Sequence, residues 1–260
     1  MGAVITLLTD FGLQDAYAGV LKGVILGIAP QATVLDLCHE VPPQDVAAGA
    51  FLLMTAYAYF PAGTIHLAVV DPGVGTARKI LAVQAGGYTF IGPDNGLLRW
   101  AVDHAGGPVA AVAVEQPAFR LPVVSDTFHG RDVMAPAAAH LARGVPLGAL
   151  GPPVQTLHGE PFPQPVPGAG RLIGRVIYID RFGNGVTNLP PLPGEVQLGE
   201  LVLPRRRTYA EAAAGASPGG APPPVVVLTG SAGYLELAVP GGSAAATLGL
   251  RPGTPVTLVT

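Results

Sequence analysis

The chain has 260 residues, of which 49% are hydrophobic and only 12% are charged, and its formal net charge is −3. A charged share about half of the usual ~25% predicts a large core or a surface covered in an oligomer, and we favour the oligomer. The slightly acidic balance disfavours nucleic-acid binding. The single cysteine, Cys38, excludes an internal disulfide and a cysteine-cluster zinc site. Because no apolar stretch reaches the ~20 residues of a membrane span and no signal peptide opens the chain, we expect a soluble cytoplasmic protein.

The first part of the chain alternates apolar runs with patterns typical of helices. Strands are predicted at 3–8, 33–37, 64–70, 80–83, 88–92 and 109–114. Helices are predicted at 15–28, 45–59, 95–104 and 131–143, with Asp45 as an N-cap and with Pro136 either in a first turn or at a kink. Gly86 and Gly87 join two of the strands as a hairpin. Alternating strands and helices predict an α/β domain over residues 1–150 with a largely parallel central sheet.

The second part has a different composition. Residues 151–170 are rich in proline and predict a stiff, extended linker. Short strands punctuated by Gly and Pro follow at 172–179, 186–189, 200–203, 225–229, 234–239 and 256–259. Residues 210–224 are predicted as an insertion between two of these strands. Residues 171–260 are therefore expected to form a smaller all-β domain, a barrel or a sandwich, and we favour a barrel-like fold.

Polar residues follow two of the predicted strands in the first domain. The strand 64–70 ends at Asp71, a Pro and two Gly follow, and Arg78 lies seven residues beyond the Asp. Asp10 ends the first strand, where an acid either binds a ribose diol or caps the next helix. His129 lies in another predicted loop. An ion pair that stabilises the turn would explain any one of these residues, but an acid, an Arg and a His together on loops favour a site for polar chemistry.

A second polar cluster lies between the first strands of the β-domain. Asp180 and Asn184 flank Phe182 in a segment whose glycines indicate a turn. An amide beside an aromatic ring suits a purine, because the amide reads the ring edge and the aromatic side chain stacks. Ser231 lies in a similar Gly-rich turn. No histidine pair has metal-ligand spacing, and the chain contains no lysine-bearing phosphate loop, so we expect neither a metal site nor a nucleoside triphosphate substrate.

Six motifs, taken in order, closely resemble those of the S-adenosyl-L-methionine (SAM) hydrolases, also called SAM hydroxide adenosyltransferases, which are related to fluorinases and chlorinases. The motifs are Thr9-Asp10-Phe11-Gly12, His39-Glu40-Val41-Pro42-Pro43, Val70-Asp71-Pro72-Gly73-Val74-Gly75, Gly92-Pro93-Asp94-Asn95-Gly96, Thr127-Phe128-His129-Gly130-Arg131-Asp132 and Ile179-Asp180-Arg181-Phe182-Gly183-Asn184. The resemblance runs from about residue 4 to residue 240.

The resemblance implies that water or hydroxide displaces methionine from the ribose C5′ carbon of SAM, so that adenosine and L-methionine form without a cofactor. It implies catalytic roles for Asp71, Arg78 and His129. It further implies that Asp10 binds the ribose, that Asn184 contacts adenine, and that Asp180 and Ser231 bind methionine. The resemblance also implies a homotrimer, in which the substrate lies between the N-terminal domain of one subunit and the C-terminal domain of its neighbour.

Departures from the halogenase pattern favour a hydrolase. The halogenases carry a Tyr where this chain has Asp71, and the fluorinases place a halide-binding Ser at the position of Gly130. The fluorinase Trp that lines the pocket falls at Gln44. The Arg beside the methionine-binding Ser falls at Ala232, which leaves the carboxylate of methionine without an evident partner. A SAM-dependent halogenase and a SAM- or adenosine-binding protein without turnover are the alternatives.

Overall fold

Two units make up the chain, and they divide in sequence between Phe162 and Pro163. The fold is that of a computed structural model, which describes residues 2–214 and 224–260. Each unit has its own sheet and its own cluster of buried apolar side chains. Within the described ranges, no helix is both long and apolar enough to cross a membrane.

The first unit is built on a six-stranded sheet. Its strands are β1 (Val4–Thr9), β2 (Thr33–Cys38), β3 (Ile65–Val69), β4 (Ile80–Ala85), β5 (Tyr88–Pro93) and β6 (Ala110–Ala113), in the order β2-β1-β3-β5-β4-β6. The pairs β1–β2, β1–β3 and β3–β5 are parallel, and β4 is antiparallel to both of its neighbours. The predicted α/β domain with a largely parallel sheet is confirmed. The predicted hairpin is also confirmed, because Gly86 and Gly87 both have positive φ between the paired β4 and β5.

Four helices cover this sheet: α1 (Tyr17–Ile28), α2 (Val46–Ala56), α3 (Arg99–His104) and α4 (Ala135–Ala142). The predicted N-cap of α2 is confirmed, since the Asp45 carboxylate accepts a 2.9 Å hydrogen bond from the Ala48 N–H. The predicted helix 131–143 is present, but its first turn, Gly130–Met134, is π-helical and continues directly into α4. Pro136 lies in the first turn of α4, which is one of its two predicted positions.

The strand order places a topological switch point between β1 and β3. The chain leaves β1 through α1 to reach β2 on one side, and it returns through α2 to β3 on the other side. Open α/β sheets bind ligands in the crevice that such a reversal opens at the carboxyl ends of the strands. Asp10 follows β1, and Asp71 follows the buried Val70 just beyond β3. Both acids therefore lie at the edge where a ligand is expected.

The second unit contains an eight-stranded sheet. Its strands are β7 (Val166–Gly168), β8 (Arg171–Ile179), β9 (Gly185–Thr187), β10 (Glu195–Leu198), β11 (Leu201–Leu203), β12 (Val226–Thr229), β13 (Leu235–Ala238) and β14 (Pro255–Val259). They follow the order β11-β10-β14-β8-β9-β13-β12 with antiparallel neighbours, and β7 pairs with β8. Val227 of β12 exchanges backbone hydrogen bonds of 2.9 Å with Pro204 and Arg206, which follow β11. The sheet is therefore a nearly closed barrel, as expected.

Two short helices interrupt the strands of the barrel, α5 (Tyr209–Ala214) and α6 (Ala244–Leu248). Neither was predicted. The first part of the predicted insertion, 210–224, forms α5, and residues 215–223 lie outside the described residues. The predicted linker, 151–170, contributes to both units. Pro153 bridges to Val112 in the first unit, and β7 belongs to the sheet of the second.

Candidate active site

The chain turns sharply after Asp71 and brings Arg78 back against it. Two overlapping turns, closed by the Val74 N–H to the Asp71 carbonyl and by the Thr76 N–H to the Gly73 carbonyl, each at 3.1 Å, reverse the chain. Arg78 Nε then donates to Asp71 Oδ1 at 2.7 Å, and Nη2 donates to Oδ2. The two side chains are only 9% and 6% exposed. The pair is therefore a bidentate ion pair that is largely withdrawn from solvent, the geometry in which the guanidinium fork is held most rigidly.

His129 completes this cluster. Arg78 Nη2 also donates to His129 Nδ1 at 3.0 Å. Because a guanidinium has donors but no acceptor, Nδ1 must be unprotonated, and the neutral ring carries its proton on Nε2. Burial, and then the positive charge of Arg78, lower the pKa of His129 below its usual value. The imidazole is therefore neutral at neutral pH, with one N–H left to donate.

A buried acid, Asp132, fixes the loop that carries His129. Its side chain is fully buried and accepts from the Ser125 N–H at 2.8 Å and from Arg131 Nε at 2.5 Å. Burial alone would raise the pKa of Asp132, but the hydrogen bonds from Arg131 and Ser125 outweigh it and hold the pKa below the usual range. Ser125 Oγ in turn accepts from the Phe128 N–H at 3.1 Å, so the segment leading to His129 is tied at both ends.

Asp10 lies across the switch point and does not cap a helix. The N-cap of α1 is Ala16, which makes no side-chain cap, so the capping alternative for Asp10 is wrong. Its Oδ2 instead accepts from the backbone N–H of Gln44 at 2.8 Å. Gln44 has φ +66°, the one positive φ of a non-glycine residue among the described residues. Backbone strain of this kind concentrates at functional sites, and here it directs an amide at the carboxylate.

One cleft in the first unit is lined by Asp10, Asp71 and His129, and Arg78 does not line it but donates hydrogen bonds to Asp71 and His129. Its volume is about 280 Å³, and its lining includes Asp10, Phe11, Gln44, Asp71, Phe128 and His129. The three aromatic rings of Phe11, Tyr17 and Phe128 pack edge to face at 5.2–5.7 Å and form an apolar wall beside the acids. A small cleft with an apolar wall and a few convergent charged groups is the usual form of a site for a polar ligand.

Gly75 holds the Asp71 turn against the His129 loop, and we expect Gly75→Ala to lower kcat at least tenfold. Gly75 has φ +80°, and a Cβ there would lie 2.6 Å from the Asp126 carbonyl oxygen, so the turn must shift away from the loop. The matched control is Gly73→Ala, whose Cβ would meet its neighbours at 3.5 Å or more. We expect this control to stay within about threefold of the parent. Equal kcat values for Gly75→Ala and Gly73→Ala would contradict the role of Gly75 in holding the turn against the loop.

The second predicted cluster forms a compact network in the other unit. Asp180 Oδ1 accepts from the backbone N–H groups of Phe182 and Asn184 at 2.9 and 2.8 Å, which confirms the predicted turn. Asp180 Oδ2 accepts from Asn184 Nδ2 at 2.9 Å, and the same nitrogen also donates to the Tyr209 hydroxyl at 3.1 Å. Both amide hydrogens of Asn184 are thereby engaged, and its carbonyl oxygen is the group that remains for a ligand.

Two members of this network, Tyr209 and Glu236, were missed from the sequence. The Tyr209 hydroxyl donates to Glu236 Oε1 at 2.7 Å. Burial, assisted by the nearby Asp180, raises the pKa of Glu236, while the bond from Tyr209 opposes that rise. The signal for Glu236 was a lone acid in the apolar run of β13, since an acid at a buried strand position needs a polar partner. No sequence pattern pointed to Tyr209, which lies just before the predicted insertion 210–224.

These residues line a second and larger cleft. Its volume is about 970 Å³, and its lining includes Asp180, Phe182, Asn184, Arg207, Ser231 and Glu236. Phe182 is 76% exposed, so its ring is accessible for stacking. Ser231 lies in the turn between β12 and β13, which the Gly230 N–H closes by a 2.8 Å bond to the Tyr234 carbonyl. The seven predicted site residues therefore fall into two groups, four in the first unit and three in the second.

A two-domain enzyme that handles a polar small molecule is the class that this fold and these clefts define. Residues 5–151 match the family model described as the SAM hydroxide adenosyltransferase N-terminal domain, and residues 174–257 match the corresponding C-terminal domain. The chain belongs to the SAM hydroxide adenosyltransferase family.

Relatives and solved structures agree with this assignment. A protein of Thermus thermophilus named (R)-S-adenosyl-L-methionine hydrolase is 46% identical over 97% of this chain and 98% of its own. A protein of the same name from Salinispora tropica is 41% identical over 96% of this chain and 95% of its own. A fluorinase of an Actinoplanes species is 28% identical over 98% of this chain and 97% of its own. The crystal structure of an uncharacterized conserved protein from Thermotoga maritima superposes with a TM-score of 0.86 at 32% identity, covering 98% of this chain and all of that one.

Proposed function

We propose that this protein hydrolyses SAM to adenosine and L-methionine. The observation that carries the proposal is the hydrogen-bonded cluster of Asp71, Arg78 and His129, of which Asp71 and His129 line a cleft at the switch point. Relatives that are 41–46% identical over nearly the whole chain are named as hydrolases of the (R) form, whereas the fluorinase is only 28% identical. We therefore propose that the (R) configuration at sulfur is also preferred here.

The proposed step is an in-line displacement at the ribose C5′ carbon. A water oxygen forms the new C–O bond as the C–S bond breaks, and the bonding pair leaves with sulfur as a neutral thioether. The leaving group needs no proton and no Lewis acid, so the proposed chemistry uses neither a metal nor a cofactor. Because the sulfonium charge disappears as the bond breaks, a pocket that excludes bulk water favours the transition state.

Asp71 is the group that we propose accepts the proton of the water. Arg78 offers only donors, and His129 Nδ1 already accepts from Arg78. Each Asp71 oxygen accepts one bond from Arg78, yet a carboxylate oxygen has two lone pairs, so Asp71 keeps acceptor capacity. His129 would hold the oxygen through its Nε2–H, and Arg78 would fix the orientation of both partners.

The remaining polar residues are proposed to bind the rest of the substrate. Asp10 accepts from the ribose hydroxyls, and the free carbonyl of Asn184 accepts from the exocyclic amine of adenine. Asp180 binds the methionine ammonium, and Ser231 binds the methionine end through its hydroxyl. We further propose that the protein is a homotrimer in which the first unit of one subunit and the second unit of its neighbour share each substrate. The low charged fraction of 12% is consistent with such an assembly.

Incubation with the (R) and (S) epimers of SAM in ¹⁸O-labelled water tests the proposal. We expect adenosine and methionine as products, faster turnover of the (R) epimer, and one ¹⁸O atom in adenosine, since the attack is at C5′. Label in the amino-acid product would place the attack elsewhere. A parallel reaction in chloride tests the halogenase alternative, because a chlorinated nucleoside as the main product would replace our proposal. Calorimetric binding of SAM without any product would instead support a binding protein.

A further inference from the structure

The charges around the second cleft are of both signs. Asp180 and Glu236 supply two carboxylates, and among the described lining residues Arg207 is the cation. A cleft of this composition suits a ligand that carries an ammonium and a carboxylate on neighbouring atoms, because each charge then meets its opposite. The α-amino acid group is the common chemical form of such a ligand.

Backbone pairing places Arg207 beside the loop that bears Ser231. Val227 of β12 bonds to Pro204 and Arg206 on the neighbouring parallel segment, with Arg205 opposite Val227. Two residues further along both segments, Arg207 comes alongside Thr229, which leads directly into Gly230 and Ser231. Arg207 and Thr229 also line a smaller depression together.

Arg207 differs from the two arginines that precede it. Arg205 Nη1 donates to the Leu192 carbonyl, and Arg206 Nη1 donates to the Arg205 carbonyl at 2.8 Å. Arg207 is held through its backbone instead, since its N–H donates to Glu211 Oε2 at 3.0 Å. Its guanidinium makes no hydrogen bond or ion pair to any described residue, although it lines the cleft. An arginine whose backbone is fixed and whose fork is unoccupied is suited to bind a carboxylate in two-point contact.

We propose that Arg207, together with the Ser231 hydroxyl, binds the carboxylate at the amino-acid end of the substrate, while Asp180 and Glu236 face its ammonium. The proposal rests on the proposed function, which supplies a substrate with a methionine moiety. Arg207 would thus replace the arginine that the related enzymes carry at position 232. The alanine at that position here can offer the carboxylate neither a charge nor a hydrogen bond.

The test compares SAM with its decarboxylated analogue, S-adenosyl-3-methylthiopropylamine, in the full-length protein. A charged hydrogen bond contributes about 1.5–3 kcal/mol, which corresponds to roughly 10- to 100-fold in affinity. We expect Arg207→Ala to raise KM for SAM by about that factor, with kcat within about threefold. KM for the decarboxylated analogue should be unchanged, since it has no carboxylate to lose. Arg207→Lys should restore part of the affinity for SAM, because it returns the charge without the fork.

The matched control is Arg206→Ala, which removes a neighbouring arginine that does not line the cleft. We expect it to leave both KM values within about twofold. An Arg207→Ala variant that still discriminates against the decarboxylated analogue as strongly as the parent would overturn the proposal. If the parent protein forms no adenosine, the proposed function fails, yet calorimetric Kd values for the same two ligands still decide the role of Arg207.

Discussion

Replacing Arg78 by Ala is expected to lower kcat for adenosine formation by about 10²- to 10³-fold, the usual loss when one preorganised polar group is removed from an active site. Arg78 holds both partners, since it donates two hydrogen bonds to Asp71 and one to His129. Without it, Asp71 and His129 lose their common orientation. The calorimetric Kd for SAM should change by less than about threefold, because the remaining binding contacts lie elsewhere.

Two further variants separate chemistry from folding. Removing Arg78 leaves a carboxylate that is only 6% exposed without a counter-charge, so some loss of stability is expected as well. Arg78→Lys keeps the positive charge but not the planar fork, and it should give an intermediate kcat in a protein of nearly parental melting temperature. Arg143→Ala, an exposed arginine at the end of α4, serves as the control and should retain full activity. An active, well-folded Arg78→Ala protein would refute the assigned role.

Asp132→Ala is expected to lower the stability of the first unit measurably. The substitution leaves the Ser125 N–H and the Arg131 guanidinium without their acceptor. An unsatisfied buried group costs about 1–3 kcal/mol, which corresponds to a fall in Tm of roughly 2–12 °C for a unit of this size. Thermal unfolding followed by circular dichroism measures the shift. Asp103→Ala, which removes a half-exposed surface ion pair with Arg99, is the matched control and should shift Tm by no more than about 2 °C.

The difference in Tm between the parent and Asp132→Ala should depend on pH, because the pKa of Asp132 is lowered in the folded protein. A carboxyl whose pKa is lower in the folded state contributes its full stabilisation above the unfolded pKa of about 3.9, and it loses that contribution as the pH falls through the folded value. The gap in Tm between the parent and Asp132→Ala should therefore be constant from about pH 5 to pH 8 and shrink below about pH 4. A gap that grows on acidification would contradict the ionised state of Asp132.

Much of the first unit could be predicted because its signals are local. Apolar runs that end at Asp10 and Asp71 mark the carboxyl ends of parallel strands, and such ends meet at one edge of a sheet. The spacing of Arg78 from Asp71 fits a return after two turns. The π-helical turn at 130–134 was not foreseen, because a helix-like apolar pattern does not report how the backbone bonds are distributed within it.

The network around Glu236 required information that no local pattern contains. Its partner Tyr209 lies on α5, and the two meet only because that short helix is placed against the barrel. The pairing of β9, β12 and β13 brings Asn184 and Ser231 to the same cleft from distant parts of the chain. Sequence reasoning identified these residues through resemblance and turn composition, but it offered no means of seeing that Tyr209 connects Asn184 to Glu236.

Asp10 is held by the backbone of Gln44, whereas the side chain of Gln44 contributes to the shape of the cleft. The main-chain amide of Gln44 restrains Asp10, so the identity of the side chain at 44 is not what keeps the acid in place. The residue type at position 44, which lines the cleft, can therefore vary. The main restriction is its left-handed backbone conformation, which glycine and asparagine tolerate best. Substitutions at this single position should therefore change the shape of the cleft wall without displacing the Asp10 carboxylate.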